Sequence, residues 1–262
     1  MVLTMNRKTR CVLDTETANS LSYPLPYDFS YVIYQGKEMT PVCKKSFVIK
    51  EIFMDTKLMD SAYYREKIPS YWESIWAKEK SLVSAYEARQ EFFNDLARFS
   101  CKECYAYNMA FDRRALNNLI AYVSDGKYKW FWKKGIKLYC IWAMAADCFL
   151  ATRDYYNVAT ANNWVSEKGN IKSSAECAYR YITGNYGFVE EHKGLEDSEI
   201  EGEILKKCLS YHKKLDKTPK GGIWQKCQKV NRREKKKSNK KEIENKIKEL
   251  QEEIKELKKL LK

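Results

Sequence analysis

The sequence has few histidines and no long apolar segment. Only two of its 262 residues are histidines, and no apolar run reaches the 18 or so residues of a transmembrane helix. The N-terminus also lacks the apolar core of a signal peptide. We therefore expect a soluble, cytoplasmic protein without membrane contact, and any histidine chemistry must use His192 or His212.

The nine cysteines lack the paired spacing of a disulfide framework. Their odd number favours reduced thiols in the cytosol. Cys101-Lys-Glu-Cys104 is the one C-x-x-C pair, and no second pair accompanies it. Because a structural zinc usually has four ligands, a chance pair at a helix end is the favoured interpretation.

Positive charge dominates, with a formal net charge of +13. Residues 229–262 contain 14 Lys and Arg against 7 Asp and Glu, so this tail carries over half of the excess. A phosphate-binding body with a more basic tail fits this split, and a merely solubilising charge fits it as well. With 44% hydrophobic residues the chain can bury a sizeable core, which excludes global disorder.

Strand-like and helix-like segments alternate in a way typical of a mixed α/β sheet. Three early strands and two later ones are predicted, at residues 10–14, 29–35, 45–52, 103–107 and 137–141. Apolar periodicity predicts helices at residues 81–99, 111–123, 173–183 and 197–211. The predicted fold is a mixed five-stranded sheet flanked by helices.

We expect three segments along the chain: a folded domain over 1–212, a basic flexible linker over 213–241 and a helix over 242–262. In the last segment, apolar residues at alternating spacings of four and three form a heptad seam of Ile243, Ile247, Leu250, Ile254, Leu257 and Leu261. Such a seam predicts a coiled coil, either as a parallel homodimer or with a protein partner. A helix folded back on its own domain, or an artificial tag, would give the same pattern.

Two carboxylates close the first predicted strand, in Asp14-Thr-Glu16. Because side chains alternate along a strand, both lie on one face. Paired carboxylates suit Mg²⁺ or Mn²⁺, which prefer oxygen ligands. Asp197-Ser-Glu199 has the same spacing but follows no apolar strand, so context favours the first pair.

Asn108-Met-Ala-Phe-Asp112 stands where the fourth predicted strand meets the following helix. This position would bring Asp112 to the sheet edge that carries Asp14. An ordinary helix N-cap is the alternative for Asp112, and Asn108 would then only order the turn.

His192-Lys-Gly-Leu-Glu-Asp197 leads into an acidic helix start. A histidine near neutral pH can take a proton from water, as a hydrolase requires. Asp197 is again open to interpretation as an N-cap. His212 lies in a Lys-rich stretch and is interpreted as solvated surface.

In this order, the three motifs resemble those of the DEDDh, or DnaQ-like, 3′–5′ exonucleases over about residues 8–212, particularly phage-encoded stand-alone members. The resemblance implies a ribonuclease-H-like fold and a metal-dependent 3′–5′ exonuclease with two divalent cations, Mg²⁺ or Mn²⁺. Asp14, Glu16 and Asp197 would be direct metal ligands, and Asp112 would hold the second metal directly or through water. His192 would deprotonate the attacking water.

The same resemblance places Thr15 and Thr17 beside the terminal nucleotide and Asn108 near the substrate strand. It favours DNA with a single-stranded 3′ end, and a phage protein would act in the host cytoplasm. Two alternatives stay open: an exonuclease preferring RNA or short oligonucleotides, and a non-catalytic nucleic-acid-binding scaffold that uses the coiled coil. An insertion over residues 55–80 departs from the family, and its aromatic rings either stack bases or, more commonly, pack into a core.

Overall fold

The computed structural model describes residues 8–190, 192–211, 214–219 and 221–260, with side chains as far as residue 254. His212 and Leu261 therefore lie outside the described residues, as does the side chain of Leu257. The interpretation of His212 as solvated surface, and the last two positions of the heptad seam, stay predictions.

A six-stranded mixed sheet forms the centre of the protein. Its strands are Thr9–Ala18 (β1), Leu25–Gln35 (β2), Thr40–Ile49 (β3), Ser81–Val83 (β4), Glu103–Ala106 (β5) and Lys137–Cys140 (β6). Their spatial order is β4-β3-β2-β1-β5-β6. β1, β2 and β3 pair antiparallel, while β4, β5 and β6 run parallel to the strands beside them. The predicted mixed sheet is confirmed, with one strand more than expected.

Helices flank the sheet. Those of the described residues are Lys50–Phe53 (α1), Thr56–Met59 (α2), Ile68–Trp76 (α3), Ala85–Arg98 (α4), Met109–Val123 (α5), Ile141–Ala145 (α6), Arg153–Ala161 (α7), Ala175–Thr183 (α8), Gly194–Ser210 (α9), Ile223–Cys227 (α10) and Lys229–Leu260 (α11). The four predicted helices are confirmed as α4, α5, α8 and α9, with ends shifted by a few residues. In the described part of the chain, no helix combines the length and apolar character needed to span a bilayer.

The side chains of β1 alternate between two apolar layers. Cys11 and Leu13 pack in the layer that contains Leu116 of α5, whereas Val12 packs in the layer that contains Ile204 and Leu205 of α9. Since strand side chains point alternately to the two faces, α5 and α9 lie on opposite faces of β1. This placement brings both helix starts to the carboxyl end of the strand.

β1 continues past its predicted end. The expected strand stopped at Asp14, but antiparallel pairing with β2 reaches Ala18, with a bulge between Glu16 and Thr17. Pairing with β5 stops at Val12. The end of a strand depends on how far its neighbouring strand pairs with it. The apolar run within β1 contains no information about that neighbour.

Residues 81–83, predicted as the start of a helix, instead form β4 beside β3. α4 begins only after Ser84, which forms a capping box with Glu87. The Ser84 hydroxyl accepts a hydrogen bond from the Glu87 N–H at 3.2 Å, and the Glu87 carboxylate accepts one from the Ser84 N–H at 2.8 Å. The spacing of these two residues marks the helix start.

Within the segment predicted as a linker, residues 223–227 and 229–241 are helical. The side chain of Gln228 exchanges two hydrogen bonds with the backbone of Ile171, and Arg153 forms an ion pair with Glu234. These contacts attach the start of α11 to the body. The described apolar side chains of the heptad seam are exposed, namely Ile243, Ile247, Leu250 and Ile254. The coiled coil and the division into three segments remain predictions.

Candidate active site

The carboxylates of Asp14 and Glu16 lie on the face of β1 that α9 covers. Val12, two residues earlier, packs against α9, and residues two apart on a strand share a face. Glu16 is paired across the sheet with Asp28 of β2. Directly opposite residues on antiparallel strands also share a face, so Asp28 adds a third carboxylate beside α9.

The helix α9 adds Asp197 and Glu201, which are four residues apart and therefore lie on one helix face. Both are buried. Glu201 accepts a hydrogen bond at 2.9 Å from the backbone N–H of Tyr107, whereas Asp197 Oδ1 is buried and has no hydrogen-bond partner among the described residues. A buried carboxylate oxygen without a donor is an atom that a metal ion can satisfy.

Asp112 approaches from α5, on the other face of β1. The Thr15 hydroxyl donates to Asp112 Oδ1 at 2.9 Å, and both residues are buried. Asp112 is not an N-cap, because α5 begins after Asn108. Asp197 is not one either, because the N-cap of α9 is Lys193. The capping alternative is therefore wrong for both aspartates.

Burial and mutual repulsion make these carboxylates hard to ionise. Burial, followed by the charge of Asp197, raises the pKa of Glu16 to about 9. Burial, followed by the charge of Glu190, raises the pKa of Asp197 to about 8. The pKa of Asp112 rises to about 7 through burial, although the Thr15 hydrogen bond opposes the rise.

The carboxylate of Asp14 interacts electrostatically with carboxylates on both faces of β1. Its pKa is raised well above the usual value by burial first, and then by the charges of Glu201, Asp112, Asp197 and Glu16. Asp14 is therefore close enough to be repelled by each of the other three carboxylates predicted from the sequence. A bound divalent cation reverses this effect, because it favours the ionised form of each carboxylate around it.

Glu16, His192 and Asp197 each offer one ligand atom, and these three atoms lie within 4.8 Å of one another. The two carboxylates suit divalent cations such as Mg²⁺ and Mn²⁺, for which oxygen ligands are typical, and the imidazole lies close enough to act on a water molecule beside them. The free Oδ1 atom of Asp197 belongs to this group of residues. By donor type and spacing, the residues fit a metal ion.

His192 reaches the carboxylates from a loop with unfavourable backbone geometry. Its φ of +50° is uncommon for a residue other than glycine. The imidazole stacks on the ring of Tyr64 with centroids 4.3 Å apart and planes inclined by 14°. Burial, followed by the charge of Lys67, lowers the pKa of His192. This shift favours the neutral form of the ring, which is the form that a proton acceptor needs.

The aromatic rings of the insertion over residues 55–80 divide between core and surface. Tyr71 is buried and its hydroxyl donates to Asp28 Oδ2 at 2.7 Å. Tyr64 contacts His192, while Tyr63 and Trp76 are 83% and 75% exposed. The insertion thus contacts Asp28 through Tyr71 and His192 through Tyr64. Core packing therefore describes only some of its aromatic rings.

The three residues expected at the substrate lie in different environments. Thr15 is buried and its hydroxyl is bound to Asp112, so its side chain acts on that carboxylate. Thr17 is half-buried just after the bulge of β1. Asn108 is exposed, and its side chain makes no capping hydrogen bond to α5. Contact with a nucleotide remains a prediction for all three.

Sequence reasoning missed Glu201, Asp28 and the role of Gly194. Glu201 could have been found, because it lies four residues after Asp197. Asp28 could not, because its place opposite Glu16 depends on the register of β2. A Cβ atom on Gly194 would lie 3.0 Å from both Asp28 Oδ1 and Ser30 Oγ. The absence of a side chain at Gly194 therefore lets the start of α9 approach β2.

No protein-family model and no curated protein matches the chain, but solved structures do. The nuclease domain of 3′hExo, described as a DEDDh family member bound to rAMP, superposes with a TM-score of 0.50 at 12% identity over 82% of this chain and 98% of that one. E. coli exonuclease I in complex with a dA16 oligonucleotide gives a TM-score of 0.48 at 13% identity, over 76% of this chain and 40% of that one. This chain thus spans about 40% of the length of the exonuclease I structure.

These likenesses show the fold. The chain has the ribonuclease-H-like architecture of the 3′hExo nuclease domain, with a mixed sheet between helices. At 12% identity the superposition does not assign an activity. The side chains at the carboxyl end of β1 are the features of this chain that bear on its function.

Proposed function

We propose that this chain is a metal-dependent 3′–5′ exonuclease of the DEDDh family that removes nucleotides from single-stranded 3′ ends. The observation that carries the proposal is the position of one ligand atom each of Glu16, His192 and Asp197 within 4.8 Å of one another, with Asp14 in charge contact with Glu16, Asp197 and Asp112. The shared fold with the 3′hExo nuclease domain supports it. The preference for DNA and the phage-type, stand-alone character follow from the motif resemblance alone.

The proposed mechanism uses two divalent cations, Mg²⁺ or Mn²⁺, which when bound stabilise charge on the attacking and leaving oxygens. Asp14, Glu16 and Asp197 would hold them, and Asp112 would hold the second directly or through water. Thr15 fixes the orientation of the Asp112 carboxylate through its hydroxyl.

Proton transfer is assigned to His192. Its lowered pKa keeps the imidazole neutral, so the ring accepts a proton from the attacking water. The stack against Tyr64 restricts rotation of the ring and holds it beside the carboxylates. Thr17 would contact the terminal nucleotide and Asn108 the strand behind it.

The test is digestion of single-stranded DNA and RNA of one sequence, each labelled at its 5′ end. With Mg²⁺ or Mn²⁺ we expect stepwise shortening from the 3′ end and release of mononucleotides, and with EDTA we expect none. Faster loss of the RNA would favour the alternative of an RNA or oligonucleotide exonuclease. A protein that binds both strands and shortens neither would be a scaffold.

Two variants of α9 form a matched pair for this assay. Asp197→Asn should abolish release, because it removes a proposed metal ligand. Glu199→Gln changes a carboxylate two residues further on, which is 41% exposed and paired with Lys44 at the surface, and should cleave at the wild-type rate. Equal rates in the two variants would contradict the proposal.

A further inference from the structure

A cavity of about 580 Å³ lies beside the candidate active site, between the start of α5 and the segments 217–219 and 221–225. Its size falls within the range of about 300–1,000 Å³ that is common for ligand sites. Charged and aromatic side chains are prominent in its lining, in particular Arg113, Lys217, Trp142 and Trp224. The backbone of Gly221 and Gly222 forms part of the wall.

The lining has the opposite charge to the active site. Among the described residues that line the cavity, Arg113 and Lys217 are cations and none is an aspartate or glutamate. Cations bind phosphate groups, and indole rings stack on bases with little sequence preference. The guanidinium of Arg232 lies over the Trp224 ring, 5.5 Å from its centroid, and Trp224 is still 39% exposed, which leaves ring surface for such a contact. This combination suits a nucleotide.

The topology places the cavity next to the carboxylates. β1, β5 and β6 run parallel, so their carboxyl ends share one edge of the sheet. Asn108, close after the end of β5, lines the cavity. Asp112 and Arg113 are consecutive in α5, where Asp112 is bound to Thr15 of β1 and Arg113 lines the cavity. A strand leaving the active site along this edge reaches the cavity.

The cavity wall is held in place by polar contacts. The Cys140 N–H donates to the Lys217 carbonyl at 2.8 Å. The Asp216 N–H donates to Asp147 Oδ2 at 2.8 Å, and Asp147 also pairs with Lys226. The indole N–H of Trp142 donates to Ser173 Oγ at 3.2 Å. Contacts at Asp216, Lys217 and Lys226 therefore hold the chain on both sides of the cavity.

We propose that this cavity binds a nucleotide upstream of the 3′ terminus while the terminus occupies the carboxylate site. This inference rests on the proposed function and extends it to the path of the substrate strand. The base stacks on Trp224 and Trp142, and the phosphate contacts Arg113 and Lys217. The shared chemistry of base and phosphate suits single-stranded DNA and RNA alike.

The test measures binding of the full chain by fluorescence anisotropy, with 5′-fluorescein dT₈, rU₈ and the dinucleotide dT₂, in Ca²⁺. Wild type should bind the octamers more tightly than the dinucleotide. Trp224→Ala should weaken octamer binding about tenfold, as expected for the loss of one stacked base, while Trp224→Phe retains most of it. Arg113→Gln should reduce the slope of log Kd against log salt by about one phosphate contact.

Trp130→Ala is the matched control, because Trp130 is exposed, lies outside the insertion and does not line the cavity. Equal octamer binding by wild type, Trp224→Ala and Trp130→Ala would overturn the proposal, as would a wild type that binds octamers no better than dT₂. Release of nucleotides in Mg²⁺ or Mn²⁺ is measured separately. Octamer binding that depends on Trp224 but comes without any release would support the cavity and contradict the exonuclease.

Discussion

Removing the ammonium group of Lys80 tests the support beneath the carboxylate site. Lys80 and Asp28 are buried, with Nζ and Oδ2 2.9 Å apart. The ammonium also donates to Ser46 Oγ at 2.7 Å, and Asp28 accepts from the hydroxyls of Tyr71 and Ser30, each at 2.7 Å. Lys80→Met keeps the aliphatic stem and leaves the Asp28 carboxylate without its cation.

The expected loss is about 3 kcal/mol of the free energy of unfolding. Removing one partner of a buried ion pair typically costs about 3–5 kcal/mol, because the other charge stays buried and unpaired. The lower end applies, since Asp28 keeps its two hydroxyl donors. The double variant Asp28→Asn/Lys80→Met contains neither charge, so its loss should fall short of the sum of the single losses by about 1 kcal/mol or more.

Lys80→Met should also raise the pKa of two proposed metal ligands without changing either residue. Behind burial and the charges of other carboxylates, the charge of Asp28 is a further cause of the raised pKa of Glu16 and of Asp197. Without Lys80 this charge is uncompensated, so the pKa of both carboxylates should rise further. The fall in metal-free stability with rising pH should then extend to higher pH, and Asp28→Asn/Lys80→Met should reverse this shift.

Urea denaturation of the metal-free protein measures the stability loss, with Lys44→Met as the control. Lys44 pairs with Glu199 at the surface, where the two side chains are 48% and 41% exposed, so its removal should cost about 0–1 kcal/mol. If Lys80→Met cost no more than Lys44→Met, or if the two single losses simply added in the double variant, the buried pair would not stabilise the fold as argued.

The other predictions concern the proposed site and the tail. In metal-free protein, thermal stability should fall as pH rises from about 4 to about 8, because the pKa of Asp197 is about 8 when folded and about 4 when unfolded; Asp197→Asn should flatten this fall. His192→Ala should slow single turnover roughly 10²–10⁴-fold, and the wild-type rate should rise with pH through a pKa below the usual histidine value. Tyr64→Ala should lose part of the rate and Tyr64→Phe, which keeps the ring, should retain it. Truncation after Asn239 should convert a dimer into a monomer in light scattering.

Each of these predictions has a result that would contradict it. A metal-free stability that rises over that pH range would show that Asp197 is not held in an unfavourable environment. A pH–rate profile unaltered in His192→Ala would remove His192 from the mechanism. Tyr63→Ala is the control for Tyr64, since the exposed Tyr63 ring contacts Tyr64 edge-on, and an equal effect of both would contradict the stacking role. An unchanged mass after truncation would leave the seam as an intramolecular or partner-binding helix.

The candidate site could be predicted from sequence where its geometry is local. Asp14 and Glu16 share a face because strand side chains alternate, which follows from spacing alone. Asp112 and Asp197 each lie in the first turn of a helix, and amphipathic periodicity located both helices. Because the motifs stood at the ends of predicted strands or the starts of predicted helices, their order along the chain indicated that they would meet at one edge of the sheet.

Long-range contacts could not be predicted in the same way. Glu201 meets the N–H of Tyr107, 94 residues away in the chain, and Tyr64, from the insertion over residues 55–80, stacks on His192. The strand β4 has only three residues and is defined by its pairing with β3. Each of these contacts depends on how distant segments pack, which the pattern of any one segment does not contain.

The unfavourable electrostatics of the site favour a catalyst over a scaffold. Burial holds the pKa values of Glu16, Asp112 and Asp197 at about 9, 7 and 8, so ionising them without metal destabilises the fold. A scaffold for phosphates would be better served by cations, as the neighbouring cavity with Arg113 illustrates. A hydrolase that uses divalent cations needs such carboxylates as ligands. Each bound cation would offset the repulsion between them, and its binding energy would stabilise the folded state. The burial of several carboxylates close together then accounts for both the instability of the metal-free cluster and its proposed activity.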